Sequence, residues 1–278
     1  MSAEVRQRSG WRVWGGYAAA LAVAAVMIIP FLWMLSTALM DEFEVFRYPP
    51  PLVPAEPQWS NFPEALTTLP FARFFLNSFI LAACMVIGQV TTGALGGYAL
   101  ARYRFAGDRI LFAAYLGALM IPGIVLLIPR FLLIDALGGV DTIAGLVSTE
   151  IVSVWGVFMM RQFFITLPRE TEDAARIDGA GEWTIFWRIA LPLARPAVAT
   201  LALFAFIDAW KSFLWPLVIT RSMSLRTVEV GIASFHGLYY ANWPYQMAAA
   251  VTALVPVMIV FLLTQRHFSR GIQLTGLR

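Results

Sequence analysis

Long apolar runs separated by short polar segments dominate the chain. Six stand out, at residues 14–40, 74–101, 110–134, 143–164, 197–219 and 245–263. Each could span a bilayer, which takes about 20 mostly apolar residues at 1.5 Å rise. The pattern predicts an all-α integral membrane fold of six transmembrane helices forming one domain over residues 1–278. Helices satisfy their own backbone groups where the bilayer core offers no water. The first run follows Arg6, Arg8 and Arg12. It exceeds the ~7–15 residues of a signal-peptide core and reads as a retained anchor.

The polar segments set the orientation, because cytoplasmic loops collect arginine and lysine. Arg6, Arg8 and Arg12 precede the first run, Arg102, Arg104 and Arg109 occupy the second connection, and Arg266, Arg270 and Arg278 follow the last run. The first connection carries Asp41, Glu42, Glu44, Glu56 and Glu64 against Arg47, and the third carries Asp135 and Asp141. Both termini are therefore expected in the cytoplasm of a cytoplasmic-membrane protein, together with the fourth connection, residues 165–196. The aromatic-rich fifth connection, residues 221–244, is expected outside. Pro30, Pro122, Pro129, Pro216 and Pro256 lie within the runs and favour kinks, either as bundle shape or beside a water-lined path. Gly88, Gly93, Gly96 and Gly97 give the second run a small face for close helix packing.

Composition removes several function classes. Hydrophobic residues make up 59% of the 278 and charged residues 13%, with a mean hydropathy of +0.71. Soluble domains carry about 25% charged residues, so a soluble enzyme is excluded. The one lysine, Lys211, follows Trp210 and cannot complete a phosphate-binding P-loop. The single cysteine, Cys84, supports no disulfide framework, and His236 and His267 form no zinc pair. No serine sits in a Gly-x-Ser-x-Gly elbow. No catalytic residue, metal site or nucleic-acid partner is expected.

The fourth connection reads as a helical hairpin. Thr166 is placed to cap a first helix with Pro168 in its first turn, and Glu170, Glu172 and Asp173 lie near its positive end. Glu172 and Arg176 are spaced i, i+4, and Gly179 beside Asp178 permits a sharp reversal. Trp183, Phe186, Trp187 and Ala190 form an apolar stripe on a second helix that Pro192 is expected to stop. By these residues alone the hairpin is either an interfacial connector or a docking element.

Asp173-Ala174-Ala175, three residues, Gly179, nine residues and Ile189-x-Leu191-Pro192 match the EAA loop. On that motif the chain resembles the inner-membrane permeases of binding-protein-dependent ABC importers. Ala174 to Ala180 resembles the carbohydrate branch, including the second permease of maltose-type systems. So do Asn77-Ser78, Tyr98-Ala99-Leu100-Ala101-Arg102, Phe105-x-Gly107, Trp210-x-x-Phe213-Leu214-Trp215-Pro216 and the ending Arg270 to Leu277. The resemblance implies a type I ABC importer permease fold with a cytoplasmic coupling helix between spans four and five, in loop 167–192. Glu172, Asp173, Ala174, Ala175, Asp178, Gly179, Ile189, Leu191 and Pro192 would engage the ATPase. It further implies a second permease subunit, two ATPase subunits holding the ATP and Mg, and an extracytoplasmic solute-binding protein. This chain would bind no cofactor, lie among membrane lipids and translocate a sugar or sugar-like solute by alternating access. Asp173 replaces the usual glutamate, and Lys211 stands where relatives often carry asparagine.

Ionisable residues inside the runs are costly and mark candidate function. Glu150, Asp208 and Lys211 are these residues, and Asp208 and Lys211 either neutralise each other on one helix face or line a substrate path. Trp210, Trp215 and Trp155 could stack on a sugar ring, and a cation at 211 could favour an anionic substituent. Arg130 and Arg161 near run ends are expected to snorkel outward. Arg226, His236, Tyr239 and Tyr240 in the fifth connection would meet the binding protein. A different class, an ion-coupled secondary transporter using Glu150, Asp208 and Lys211, leaves the hairpin unexplained. An intramembrane hydrolase would have Ser153 or Ser212 without a histidine in any run.

Overall fold

A computed structural model describes residues 10–237 and 241–275, giving the backbone alone for residues 10–13 and 266–275. The described residues are helical apart from loops, turns and an isolated bridge between His236 and Ala241. They form two compact units. One comprises Met1–Thr68 and Phe235–Thr252, the other Leu69–Ser234 and Ala253–Arg278.

In the first unit, α1 (Gly10–Ala38) runs through Pro30, and α2 (Asn61–Thr68) follows an extended proline-rich segment. A helix end leaves carbonyls without intrahelical partners. Buried Asn61 supplies them, its Nδ2 donating to Ala38 O and Met40 O at 2.9 Å each. From Trp14 to Leu32 the side chains of α1 are exposed.

The second unit is organised on α3 (Phe71–Arg102), which packs along α7 (Val154–Thr166) and α11 (Arg195–Trp210) once α4 (Asp108–Leu119), α5 (Leu127–Ala136), α6 (Ile143–Ser148), α8 (Glu170–Ile177), α9 (Glu182–Ile185) and α10 (Leu191–Leu193) are placed between them in sequence. Short α12 (Leu214–Ile219) and α13 (Val228–Ala233) precede α14 (Trp243–Thr275), a continuous helix through Pro256 whose first residues belong to the other unit. The small face of α3 permits close packing. A Cβ on Gly97 would lie 2.7 Å from Arg161 N, and one on Gly93 would lie 2.9 Å from Leu201 Cδ2. Tyr98, Met160, Phe164, Phe186 and Leu201 fill the core beside that contact.

Among the described residues, three helices are long and apolar enough to cross a membrane: Trp14–Ala38, Phe71–Arg102 and Trp243–Gln265, matching the first, second and sixth runs. The other three runs are broken into shorter helices, two of them near the expected kink prolines Pro122 and Pro216. Pro122 stands between α4 and α5, whose segments meet at 94°. The fourth run divides into α6 and α7, each started by a hydroxyl cap: Thr142 Oγ1 accepts from Gly145 N and Ser153 Oγ from Gly156 N, both at 3.0 Å. The fifth divides at Lys211–Phe213, since Pro216 has no N–H for the Ser212 carbonyl and its ring crowds that group.

Candidate functional site

The predicted hairpin forms, and buried charge fixes it to the end of α3. Arg102 Nε and Nη2 each lie 2.8 Å from Glu172 Oε1, with only 4% and 3% of the two side chains exposed. Tyr98 Oη donates to Glu172 Oε2 at 3.3 Å, and Arg102 Nη2 donates to Leu167 O at 3.1 Å. A carboxylate this enclosed needs such partners, because an unpaired buried charge is expensive. Glu172 is thus an anchor, whereas Asp173, Ala174, Asp178 and Gly179 are exposed and Ala175, Ile189, Leu191 and Pro192 are half-buried.

The reversal after α8 follows from its hydrogen bonds. Ala180 N donates to Ala175 O and Gly179 N to Arg176 O, a Schellman closure with Gly179 at φ +83°. Arg176 then ties the two arms together, donating to Asp173 at 2.8 Å and to Glu182 at 2.8 and 3.1 Å. Tyr103 Oη donates to Glu182 Oε2 at 2.7 Å. Arg176 and Tyr103 hold the Glu182 carboxyl down at about 2.

Three local expectations are corrected. Thr166 is the last residue of α7 and donates to Phe163 O, so α8 begins after Arg169 instead. Leu167 is extended, as a residue before proline prefers. Pro192 does not stop the second arm, which passes from α9 through a π-turn at Phe186–Ala190 into α10 and then bends by 77° into α11. Leu191 N donates to Phe186 O, and this wider turn absorbs the proline. The widening also splits the apolar stripe: Phe186 and Ala190 are buried while Trp183 and Trp187 are exposed.

The ionisable residues and indoles of the third to fifth runs separate into two sets. Glu150 pairs with Arg130, whose guanidinium also donates to Thr149 Oγ1 at 2.7 Å and lies 4.3 Å from the Trp215 ring centroid. Arg130 therefore does not snorkel. Arg161 likewise turns inward, donating to Leu100 O at 3.2 Å and covering the Phe112 ring at 3.8 Å. Trp210 is 2% exposed, donates Nε1–H to Ala253 O at 3.0 Å and stacks on Phe206. Trp215 is buried and donates to Leu146 O at 3.0 Å. Neither indole is open to a solute.

Asp208 and Trp155 instead line a cavity of about 440 Å3 with Gln89, Ser153, Phe204 and Ala205. Among the described residues no ion pair joins Asp208 to Lys211, an exposed residue that acts electrostatically on both Asp208 and Glu229. Gln89 escaped the sequence reading and Ser153 entered it only as a hydrolase candidate, although each is a polar residue within an apolar run. No group of three metal-ligating side chains occurs among the described residues. In the fifth connection Arg226 bonds Ser234 Oγ at 3.0 Å, His236 packs edge-on to Trp243, and Tyr239 and Tyr240 lie outside the described residues.

Residues 89–274 match the family described as binding-protein-dependent transport system inner membrane component. The chain belongs to this family. Across 255 residues it is 35% identical to the sn-glycerol-3-phosphate transport system permease protein UgpE of Yersinia pestis bv. Antiqua, covering 89% of this chain and 91% of that protein. Across 259 residues it is 33% identical to the arabinooligosaccharides transport system permease protein AraQ of Halalkalibacterium halodurans, covering 92% and 93%. Its fold matches a chain of a bacterial ABC transporter involved in import of the acidic polysaccharide alginate, with a TM-score of 0.80 at 23% identity over 92% and 97% of the two chains. The protein is a multi-pass inner-membrane transport subunit of the ABC class, not an enzyme, and the ion-coupled carrier reading is set aside.

Proposed function

We propose that this permease works as one half of a heterodimeric importer for a sugar or sugar-like solute, an oligosaccharide, polyol or glycerol-phosphate-type compound. The broken helices complete six spans in one transmembrane domain, with both termini cytoplasmic. Loop 167–192 is the coupling helix, engaging an ATPase subunit through Asp173, Ala174, Ala175, Asp178 and Gly179. A second permease, two ATPase subunits that hold ATP and Mg, and an external binding protein complete the machine, and the fifth connection, residues 221–244, contacts the last. Relatives named for glycerol-phosphate and arabinooligosaccharide transport support the solute class.

The buried Arg102–Glu172 pair carries the mechanism. It joins an exposed hairpin to the helix around which the second unit packs, so a displacement of the hairpin is passed to α3 rather than lost in a loop. ATP-driven closure then biases inward- and outward-facing states through different contacts in each, as transport requires. Cross-linking tests the docking. In a Cys84→Ser background, Ala174→Cys in the assembled complex, labelled with a short maleimide–diazirine reagent and irradiated, should form a link to the ATPase, and Val23→Cys on α1 should not. A link absent from Ala174→Cys in an active complex would refute the hairpin's role.

A further inference from the structure

We propose that the Asp208 cavity is a subsite for an uncharged, hydroxyl-rich part of the solute and discriminates against anionic groups. This rests on the importer reading above and names the solute class that reading leaves open.

Hydrogen-bond inventory is the first argument. Ser153 Oγ already accepts from Gly156 N, which leaves its O–H to donate. Gln89 Nε2 donates to Glu150 O at 2.8 Å, which leaves Oε1 as an acceptor. The Asp208 oxygens add further acceptors, so the wall offers mostly acceptors to whatever enters. Sugar and polyol hydroxyls donate to such groups, whereas a phosphate or carboxylate brings acceptors of its own and would leave both sides unsatisfied.

Charge and shape agree. Among the described residues no arginine or lysine lines the cavity. The neighbouring Arg130 is engaged by Glu150, Thr149 and the Trp215 ring. Lys211 lies outside the cavity lining and within electrostatic reach of two carboxyl groups, Asp208 and Glu229. Trp155, 39% exposed, stands edge-to-face with half-exposed Phe204 at 5.4 Å, giving apolar ring surface for the C–H face of a sugar. The volume of about 440 Å3 lies within the range of small-molecule pockets. An ionisable residue at membrane depth that opens on a cavity belongs to a water-filled path rather than to lipid.

The test uses the complete complex in proteoliposomes. ATPase stimulation by the cognate binding protein is measured first, and its absence overturns the importer reading and this proposal together. Uptake is then compared between neutral sugars and polyols and their phosphate and uronate counterparts. The expected result is a preference for the neutral partner of about tenfold or more, narrowed about tenfold by Asp208→Asn and retained by Asp208→Glu. Trp155→Ala, at a half-exposed position, should weaken neutral uptake about tenfold at an unchanged neutral-to-anion ratio. With stimulation intact, equal or better uptake of the anion by the native complex overturns the subsite assignment alone. So does a preference that Asp208→Asn leaves unchanged in a complex with native melting behaviour.

Discussion

The guanidinium of Arg102, at the last turn of α3, encloses the carboxylate of Glu172, on the first turn of α8, at 2.8 Å with both side chains almost fully buried. Removing one member of a buried pair strands the other. Arg102→Ala and Glu172→Ala are each expected to destabilise the protein by about 3–5 kcal/mol. The double variant should lose less than the sum. A double-mutant cycle on detergent-solubilised complex, read by thermal melting, checks this, and additive losses would exclude the pairing.

Gly179 closes α8 in the left-handed region with open space around its α-carbon. A side chain there meets backbone strain and no steric neighbour. Gly179→Val is expected to cost about 1–2 kcal/mol locally, and Gly179→Asn less because asparagine tolerates this conformation. Solute transport per ATP hydrolysed should fall in the same order. Equal coupling ratios for valine and asparagine would count against the conformational account.

The contact of α3 with α7 has a graded sensitivity along its glycines. A Cβ at 97 would lie 2.7 Å from both Arg161 N and Met160 Cβ, whereas at 96 it would meet Val157 Cγ1 at 3.3 Å. Gly97→Ala should therefore cost about 1–3 kcal/mol through overpacking, while Gly96→Ala stays within about 0.5 kcal/mol. Melting temperatures of the two variants in one detergent decide it.

Trp210 is buried and bonded within the protein. Trp210→Phe removes the Nε1–H bond to Ala253 O and should lower stability by about 1 kcal/mol. Its KM for solute should match the native value. A raised KM with unchanged melting would return Trp210 to the transport path.

Asp141 gives a pH prediction. Backbone N–H groups of Ser222 and then Arg221 bond its Oδ1 at 2.9 and 2.8 Å and hold the carboxyl below its usual range. A depressed folded-state value means the contribution is complete above the unfolded value of about 4 and is lost as pH falls toward the folded one. The native melting temperature should thus decline more steeply than that of Asp141→Asn on acidification from about pH 5 to pH 3. Parallel curves would show that these bonds do not select the charged form.

The sequence by itself determined much of this protein. Apolar runs too long for a soluble core dictated a helical membrane protein, because no other open structure hides its backbone from lipid. Spacing from Asp173 to Pro192 located the hairpin, since turn glycines and first-turn acids are local requirements. Hydropathy was blind to the breaks in the third to fifth runs: Pro122, Ser153 and Pro216 stand at them without making a run less apolar. Tertiary packing alone decided which partners the charges and indoles found. Asp208 and Lys211, three residues apart, stay unpaired, while Glu150 reaches Arg130 twenty residues away. Trp210 and Trp215 turn into the protein, and Gln89, Ser153 and Trp155 converge on Asp208. Spacing along one helix lists the neighbours a side chain can reach. The close approach of α3, α7 and α11, set by glycines on the contact face, determines which of them it meets.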